Sequence, residues 1–447
     1  MRARVFTARQ HHEDCAPDIV TSGQAVARAP HVLSGPARIV LIVGIQAGLA
    51  AVFWFVAARL TSTRALGIAA ALYTALQFVN YVTGMGLTVT LARFGADAGR
   101  DQDAWFGWSL IVTSAASAIG TVVFLGFVAS PATELMRSGA VAFIAFFALT
   151  AGISIGLLVD VRLIASGRWG WLTAKNLLIG LVRIPLVLVH PAGSEALWLF
   201  TLIAAPQAIF GVIFAIGSRW IMNGRVRFHR PPAWRQAVHY SVVNWAAILA
   251  TQAPAIVLPL VVALHVRAVV NGPFFLAWSI AVAVFLAPGA IAQVVLVEGS
   301  REPHDFRRRA RHAMSLSIGI SALALLGALA FVPFITTVYG PAYRLSAEIL
   351  PLLVAASIPW SVAVIRLSEA RLRHDHVTTV AITLTFGVGI VGMAVTLVPV
   401  WGVAGAVLAW VAGTTLAAAV GLALSWIRWH GPVSVLDGAT GQSLQSG

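Results

Sequence analysis

Long apolar stretches recur twelve times along the chain, and short arginine-rich segments separate them. A helix needs about 20 apolar residues to cross the roughly 30 Å hydrocarbon core of a bilayer. The pattern therefore predicts an all-α polytopic membrane protein with about twelve transmembrane helices. The predicted spans are residues 38–60, 68–92, 104–128, 139–162, 170–189, 195–218, 239–263, 270–297, 314–338, 347–370, 376–398 and 403–427.

The basic residues predict how the chain is oriented. Of 30 lysine and arginine residues, 22 fall in the two tails and the even-numbered loops, five in the odd-numbered loops and three inside spans. Positive charge beside a span stays on the cytoplasmic side. Both termini are therefore expected in the cytoplasm, which also requires an even number of spans.

Composition narrows the class of protein further. Hydrophobic residues make up 59% of the chain and charged residues 10%, whereas soluble domains have about 25% charged residues. The net charge of +14 matches attraction to anionic membrane lipids, so we expect lipids and no nucleic acid as partners. Cys15 is the only cysteine, which excludes an intrachain disulfide.

The longest basic segment between spans divides the chain into two halves. It covers residues 219–238 and contains Pro231 and Pro232, which would end a helix. We expect a disordered tail over 1–37, six-helix bundles over 38–218 and 239–427, a cytoplasmic linker between them and a tail over 428–447. Two halves of six spans share one orientation, as in transporters built from parallel repeats.

Charged residues inside spans indicate where chemistry occurs, because burying a charge at mid-bilayer costs about 2.5–3.5 kcal/mol. Arg183 lies near the middle of an apolar run, and Asn176 lies seven residues before it on the same helix face. With the adjacent Lys175 they predict a cationic stripe facing a cavity. Extension of either basic side chain to the membrane surface is the alternative.

Two acidic residues near span ends, Asp160 and Glu369, are candidates for coupling or neutralisation, together with Arg366. Asp160 ends the fourth span and is positioned to neutralise Lys175 or Arg183 or to carry a coupling proton. An ordinary ion pair with Arg162 explains it equally well. Near the end of the tenth span, Arg366 and Glu369 have the same two interpretations, while Arg93 and Glu298 close the second and eighth spans.

Amides inside spans complete the predicted cavity, since they are costly when they face lipid. The candidates are Gln46, Gln77, Asn80, Asn244, Gln252 and Gln293, for which hydrogen bonding between helices is the alternative explanation. No nucleotide-binding, metal-binding or nucleophile motif occurs in a plausible setting. We therefore predict no cofactor and no metal, and a transporter rather than an enzyme.

Several segments resemble the bacterial polysaccharide flippases. In residues 51–97, Arg59, Leu60, Gly67, Gly86, Leu87 and Arg93 match the opening of that family. Residues 157–187 resemble its fourth and fifth helices, with Asp160, Asn176 and Arg183 at typical places. Residues 259–301, 339–369 and 398–411 resemble later helices, including Glu298, Ser300 and Arg301 as the close of the eighth.

This resemblance implies a fold and a function. The family belongs to the multidrug and oligosaccharidyl-lipid flippase superfamily, which is built from two six-helix bundles (a MATE-like fold). The resemblance implies flipping of a polyprenyl-diphosphate-linked oligosaccharide across the bacterial cell membrane, by alternating access of a cationic cavity between the halves. It also implies other polysaccharide-assembly proteins as partners. The alternatives are an ion-coupled multidrug antiporter, a lipid II flippase, and a membrane glycosyltransferase or polymerase of the same pathway.

Overall fold

A computed structural model describes most of the membrane-spanning chain. It describes residues 35–95, 101–128, 130–137, 139–189, 194–221, 226–232, 234–301 and 306–430. Only residues 35–37 and 428–430 of the predicted tails fall within these ranges. Residues 222–225 and 233 of the predicted linker lie outside them.

Twelve long helices dominate the described chain. They are α1 (Gly35–Leu60), α2 (Thr63–Thr83), α3 (Gln102–Phe127), α4 (Ala140–Ala165), α5 (Trp169–Val187), α6 (Glu195–Ile216), α7 (Trp234–His265), α8 (Ala268–Arg301), α9 (Phe306–Tyr339), α10 (Arg344–Ala355 and Ser357–Leu372), α11 (His376–Leu384 and Ile390–Trp401) and α12 (Val403–His430). Short helices lie over Leu87–Thr90, Pro131–Arg137 and Ser218–Ile221, and a 3₁₀ turn covers Pro341–Tyr343.

The predicted fold class is confirmed. Eleven helices of the described chain are long and apolar enough to cross a membrane, and α1 contains a shorter apolar helix over Gly44–Leu60. Together they give the twelve-helix, two-bundle layout.

Helix α2 ends earlier than its hydropathy predicts. The predicted span runs to residue 92, but the helix stops at Thr83, and left-handed turns at Met85 (φ 47°) and Gly86 (φ 67°) follow. A Cβ atom on Gly86 would lie 2.4 Å from the carbonyl oxygen of Ser241. Glycine at this position therefore provides the backbone conformation and also lets α7 approach.

Contacts between the two halves concentrate at the two ends of α2. At its beginning, α2 packs tightly against α8, where Asn271 Nδ2 donates to the carbonyl oxygen of Gly67 at 2.8 Å. At its end, Trp245 Nε1 of α7 donates to the carbonyl oxygen of Val82 at 3.0 Å. The Ser241 hydroxyl donates to the carbonyl oxygen of Met85. Contacts at both ends of α2 therefore keep this side of the junction between the halves closed.

A carboxylate ties the last helix to the turn between α10 and α11. Asp375 accepts hydrogen bonds from Thr378 N at 3.1 Å, Arg428 Nε at 3.0 Å and Trp429 Nε1 at 3.1 Å. Burial alone would raise the pKa of the Asp375 carboxyl. The hydrogen bonds from Thr378, Trp429 and Arg428 outweigh burial and hold the pKa below its usual value.

Candidate functional site: a cationic cavity in the first bundle

One cavity of about 370 Å³ opens among five helices of the first bundle. Helices α1, α2, α4, α5 and α6 supply its walls, and α8 contributes Leu286. The sequence predicted a cavity between the two halves. The structure instead places this one mostly inside the first bundle, with Leu286 as its lining residue from the second. Its polar lining residues are Gln46, Tyr73, Gln77, Asp160, Lys175, Asn176, Arg183 and Gln207.

A single face of α5 provides the cationic wall. Lys175, Asn176 and Arg183 are only 2%, 6% and 8% exposed. Arg183 follows the adjacent Lys175 and Asn176 by eight and seven residues, which places all three on one side of the helix. Gly180 lies between them, where Leu49 of α1 packs so closely that a Cβ atom would meet its side chain at 2.4 Å. The small glycine thus allows α1 to cover the stripe.

Lys175 is neutralised within the cavity. Its Nζ lies 2.8 Å from Asp160 Oδ1 and donates to the carbonyl oxygen of Gly156 at 3.2 Å. Of the partners that the sequence allowed for Asp160, the structure selects Lys175. Arg162, the alternative, pairs with Asp103 and lies 4.4 Å from the centre of the Phe106 ring.

Arg183 has no carboxylate partner among the described residues. Its Nη2 donates to the carbonyl oxygen of Ile203 on α6, and its buried Nε has no hydrogen-bond partner in the described chain. The side chain is held inside the bundle and does not extend to the membrane surface. A buried guanidinium with an unused donor strongly favours an anion.

Amide groups line the wall beside the cations. Gln46 of α1 donates to the Asn176 side chain, and Asn176 Nδ2 donates to the carbonyl oxygen of Leu172 at 2.9 Å. Gln77 and Gln207 line the same cavity from α2 and α6. Gln207 and Tyr73 were absent from the sequence-based candidates. A glutamine beside Pro206 inside an apolar span is nevertheless a feature that could have identified Gln207 from the sequence.

Other sequence candidates lie elsewhere. Asn80 is buried and accepts a hydrogen bond from Ser154, next to the cavity but outside its lining. Asn244 Nδ2 donates to the carbonyl oxygen of Tyr240 at 2.8 Å, and Gln252 is exposed. Neither amide lines the cavity.

Arg93, Arg366 and Glu369, which the sequence places at span ends, also lie away from the cavity. Arg93 is exposed, with its guanidinium 4.8 Å from the centre of the Tyr240 ring. Arg366 pairs with Glu369 at 2.6 Å on α10. Glu298 lies in α8, but its side chain is outside the described part of the structure.

Helices α1 and α8 are loosely packed at three glycines near the residues that line the cavity. A Cβ atom on Gly44 or Gly48 of α1, or on Gly289 of α8, would meet no other atom within 4 Å. At the other end of these helices, Trp54 and Phe275 pack with ring centres 4.8 Å apart. The two helices therefore contact each other near the α1–α2 and α7–α8 turns.

Comparison with solved structures identifies the fold. An inward-facing multidrug-resistance MATE-family transporter of the MOP superfamily aligns with a TM-score of 0.64 and 16% identity, over 89% of this chain and 98% of the other. The lipid II flippase MurJ in an inward closed conformation aligns with a TM-score of 0.69 and 11% identity, over 86% of each chain. The described chain has the same fold as these two transporters.

A third transporter of this superfamily, from Pyrococcus furiosus Vc1, aligns with a TM-score of 0.57 and 15% identity, over 88% of this chain and 95% of the other. Its binding pocket is described as having reverse polarity that suggests a different function. No protein-family model matches the sequence, and no curated protein matches it. At 11–16% identity, these structural likenesses define the shared fold, and the substrate has to be argued from the cavity of this chain.

Proposed function

We propose that the protein flips a polyprenyl-diphosphate-linked oligosaccharide across the cell membrane, without catalysing a reaction on it. The observation that carries the proposal is the charge balance of the cavity. Two cationic side chains and one carboxylate line it, and the carboxylate is already paired with Lys175. Arg183 remains as the uncompensated charge, so the cavity favours an anionic ligand.

A diphosphate fits the donors that Arg183 offers. A guanidinium binds phosphate oxygens with charge-assisted hydrogen bonds, which are about twice as strong as neutral ones. Arg183 lines the cavity, and its buried Nε has no hydrogen-bond partner in the described chain. Binding the diphosphate there would offset the cost of burying both charges.

The sugar head and the lipid tail need different surroundings. A sugar cannot cross hydrocarbon without replacement of its hydrogen bonds to water. Gln46, Gln77 and Gln207 are suited to provide those bonds. The polyprenyl tail is apolar and remains in the bilayer while the polar head occupies the cavity.

The proposal is tested by replacing Arg183 with glutamine. Proteoliposomes containing the purified protein would receive a fluorescent undecaprenyl-diphosphate oligosaccharide, and the fraction that crosses the bilayer would be measured with a membrane-impermeant quencher. We expect Arg183→Gln to lower the initial rate at least tenfold, because one charge-assisted contact contributes about 1.5–3 kcal/mol.

The matched control is Arg344→Gln, which removes an equal charge from an exposed i,i+4 pair with Glu348 outside the cavity. It should flip the lipid at the wild-type rate. Equal rates for wild type and Arg183→Gln would contradict the proposal, as would flipping of a neutral lipid at the same rate as the diphosphate.

One observation favours a second candidate, an ion-coupled multidrug antiporter. Asp160 is a carboxylate inside the cavity, and a protonatable carboxylate is what exchange of a cationic drug for a proton requires. The ion pair with Lys175 reduces its capacity to bind a cation. Transport of cationic dyes by the same proteoliposomes, driven by a pH gradient and lost in Asp160→Asn, would support the antiporter.

A further inference from the structure

Three arginines outside the cavity lie over aromatic rings where the linker and α7 meet α2 and α3. Arg93 lies 4.8 Å from the Tyr240 ring centre, and Arg230 lies 5.8 and 5.2 Å from the Trp108 and Trp234 rings. Arg235 lies 5.8 Å from the same Trp234 ring. We call this group the arginine–aromatic cluster; its members are Arg93, Arg230, Arg235, Trp108, Trp234 and Tyr240.

The linker is fixed against α3, so the cluster has a defined shape. The backbone N–H of Arg227 donates to the carbonyl oxygen of Asp103 at 3.2 Å. The Arg227 carbonyl oxygen lies so close to α3 that a Cβ atom on Gly107 would meet it at 2.2 Å. This contact places Arg230 beside Trp108 on one side and Trp234 on the other.

The cluster retains its full positive charge. None of its three arginines forms an ion pair with a described residue. An aromatic face attracts a guanidinium but does not neutralise it. Arg230 and Arg235 lie against the same Trp234 ring, so two like charges are close together there, and an anion would relieve their repulsion.

Apolar surface continues from the cluster along α7. Val238 and Val242 follow Arg235 at spacings of three and seven residues, so they share its helix face. Both valines are exposed. A molecule with an anionic head and apolar chains would contact guanidinium groups with its head and the valines with its chains.

We propose that the arginine–aromatic cluster is a binding site for an anionic phospholipid of the inner leaflet. The side of the membrane follows from the arginine-rich segments that surround it, and indoles are enriched at this depth. Each basic residue near the surface contributes about 1 kcal/mol of attraction to anionic lipid. The site lies outside the cavity and links the linker between the halves to α3.

The test measures lipid retention by native mass spectrometry of the purified full-length protein. Phosphatidylglycerol is added to the detergent-solubilised protein, and phosphatidylcholine serves as the uncharged counterpart. We expect wild type to retain phosphatidylglycerol preferentially. Arg230→Gln/Arg235→Gln should weaken its binding roughly 30-fold, since two basic residues contribute about 2 kcal/mol.

The control is Arg59→Gln/Arg344→Gln, which removes the same charge from two exposed positions in segments predicted to be outside. It should bind phosphatidylglycerol like wild type. The single variants Arg230→Gln and Arg235→Gln, each expected to weaken binding roughly fivefold, keep the test open if the double variant does not fold. Equal retention by the Arg230→Gln/Arg235→Gln protein and its control would overturn the proposal, and so would equal retention of both lipids.

Discussion

At the scale of single residues, Lys175 and Asp160 compensate each other's charge inside the first bundle. The side chains are 3% and 24% exposed, so removing either one leaves the other charge inside the bundle. The loss of one partner from a buried pair costs about 3–5 kcal/mol. The partial exposure of Asp160 places this pair near 3 kcal/mol.

We therefore expect Lys175→Met to lower the free energy of unfolding by about 3 kcal/mol, measured by thermal unfolding in detergent. Adding Asp160→Leu should recover most of the loss, because an apolar pair of similar volume replaces a buried ion pair at little cost. Additive losses in the double variant would mean that the two charges do not interact in the folded protein.

Residue-level sequence reasoning found the cationic wall but not all of its surroundings. Helical spacing is enough to place Asn176 and Arg183 on one face, whichever helices pack against it. The contribution of Gln207 and the placement of Arg93 outside the cavity depend on which helices are neighbours. Hydropathy does not show which helices are neighbours, since all the spans are similarly apolar.

At the scale of helices, the tightest cross-half contact depends on two glycines. A Cβ atom on Gly67 of α2 would lie 1.8 Å from the carbonyl oxygen of Ala268, and one on Gly272 of α8 would lie 2.4 Å from that of Thr63. Both obstacles are backbone atoms, which cannot rotate away. The α2–α8 contact therefore excludes any side chain at either position.

Gly67→Ala should accordingly destabilise the protein by about 1–3 kcal/mol, the typical cost of overpacking. Gly392→Ala in α11 is the control, because its added methyl group meets no atom within 4 Å and alanine favours a helix by about 1 kcal/mol. Thermal unfolding of both variants in detergent checks this, and the helix contact is wrong if Gly67→Ala unfolds like Gly392→Ala.

Helix bounds show where a hydropathy pattern stops being informative. The existence and order of all twelve helices follow from apolar length, but α9 runs over Phe306–Tyr339 whereas the predicted span begins at 314. The helix continues through the arginines of its first turns because backbone hydrogen bonds do not require apolar side chains. The arginines interrupt only the hydropathy pattern from which the span was predicted. Conversely, the left-handed turn at Met85 and Gly86 ends α2 inside a stretch that remains apolar.

At the scale of the whole molecule, the contacts suggest where the halves must separate. Trp54 of α1 and Phe275 of α8 close one end of their junction, next to the α1–α2 and α7–α8 turns. If the halves rock to change access, the Trp54–Phe275 contact has to open once per cycle. A covalent link at that point should trap the molecule.

We expect Trp54→Cys/Phe275→Cys, in a Cys15→Ser background, to lose lipid flipping when a short thiol-specific cross-linker joins the two positions. Cutting the link by reduction should restore flipping, and binding of the diphosphate lipid should persist throughout. The proteoliposome assay with the fluorescent oligosaccharide lipid measures the first effect, and retention of that lipid by the purified protein measures the second.

A link within one half separates rocking from general rigidity. Phe146 of α4 and Phe200 of α6 stack with ring centres 6.1 Å apart, and both belong to the first bundle. Joining cysteines at these two positions stiffens that bundle without connecting the halves, so flipping should continue near its unlinked rate. If the link between Trp54 and Phe275 leaves flipping equally unaffected, the halves do not separate at that end, and the substrate must cross by a rearrangement inside the first bundle alone.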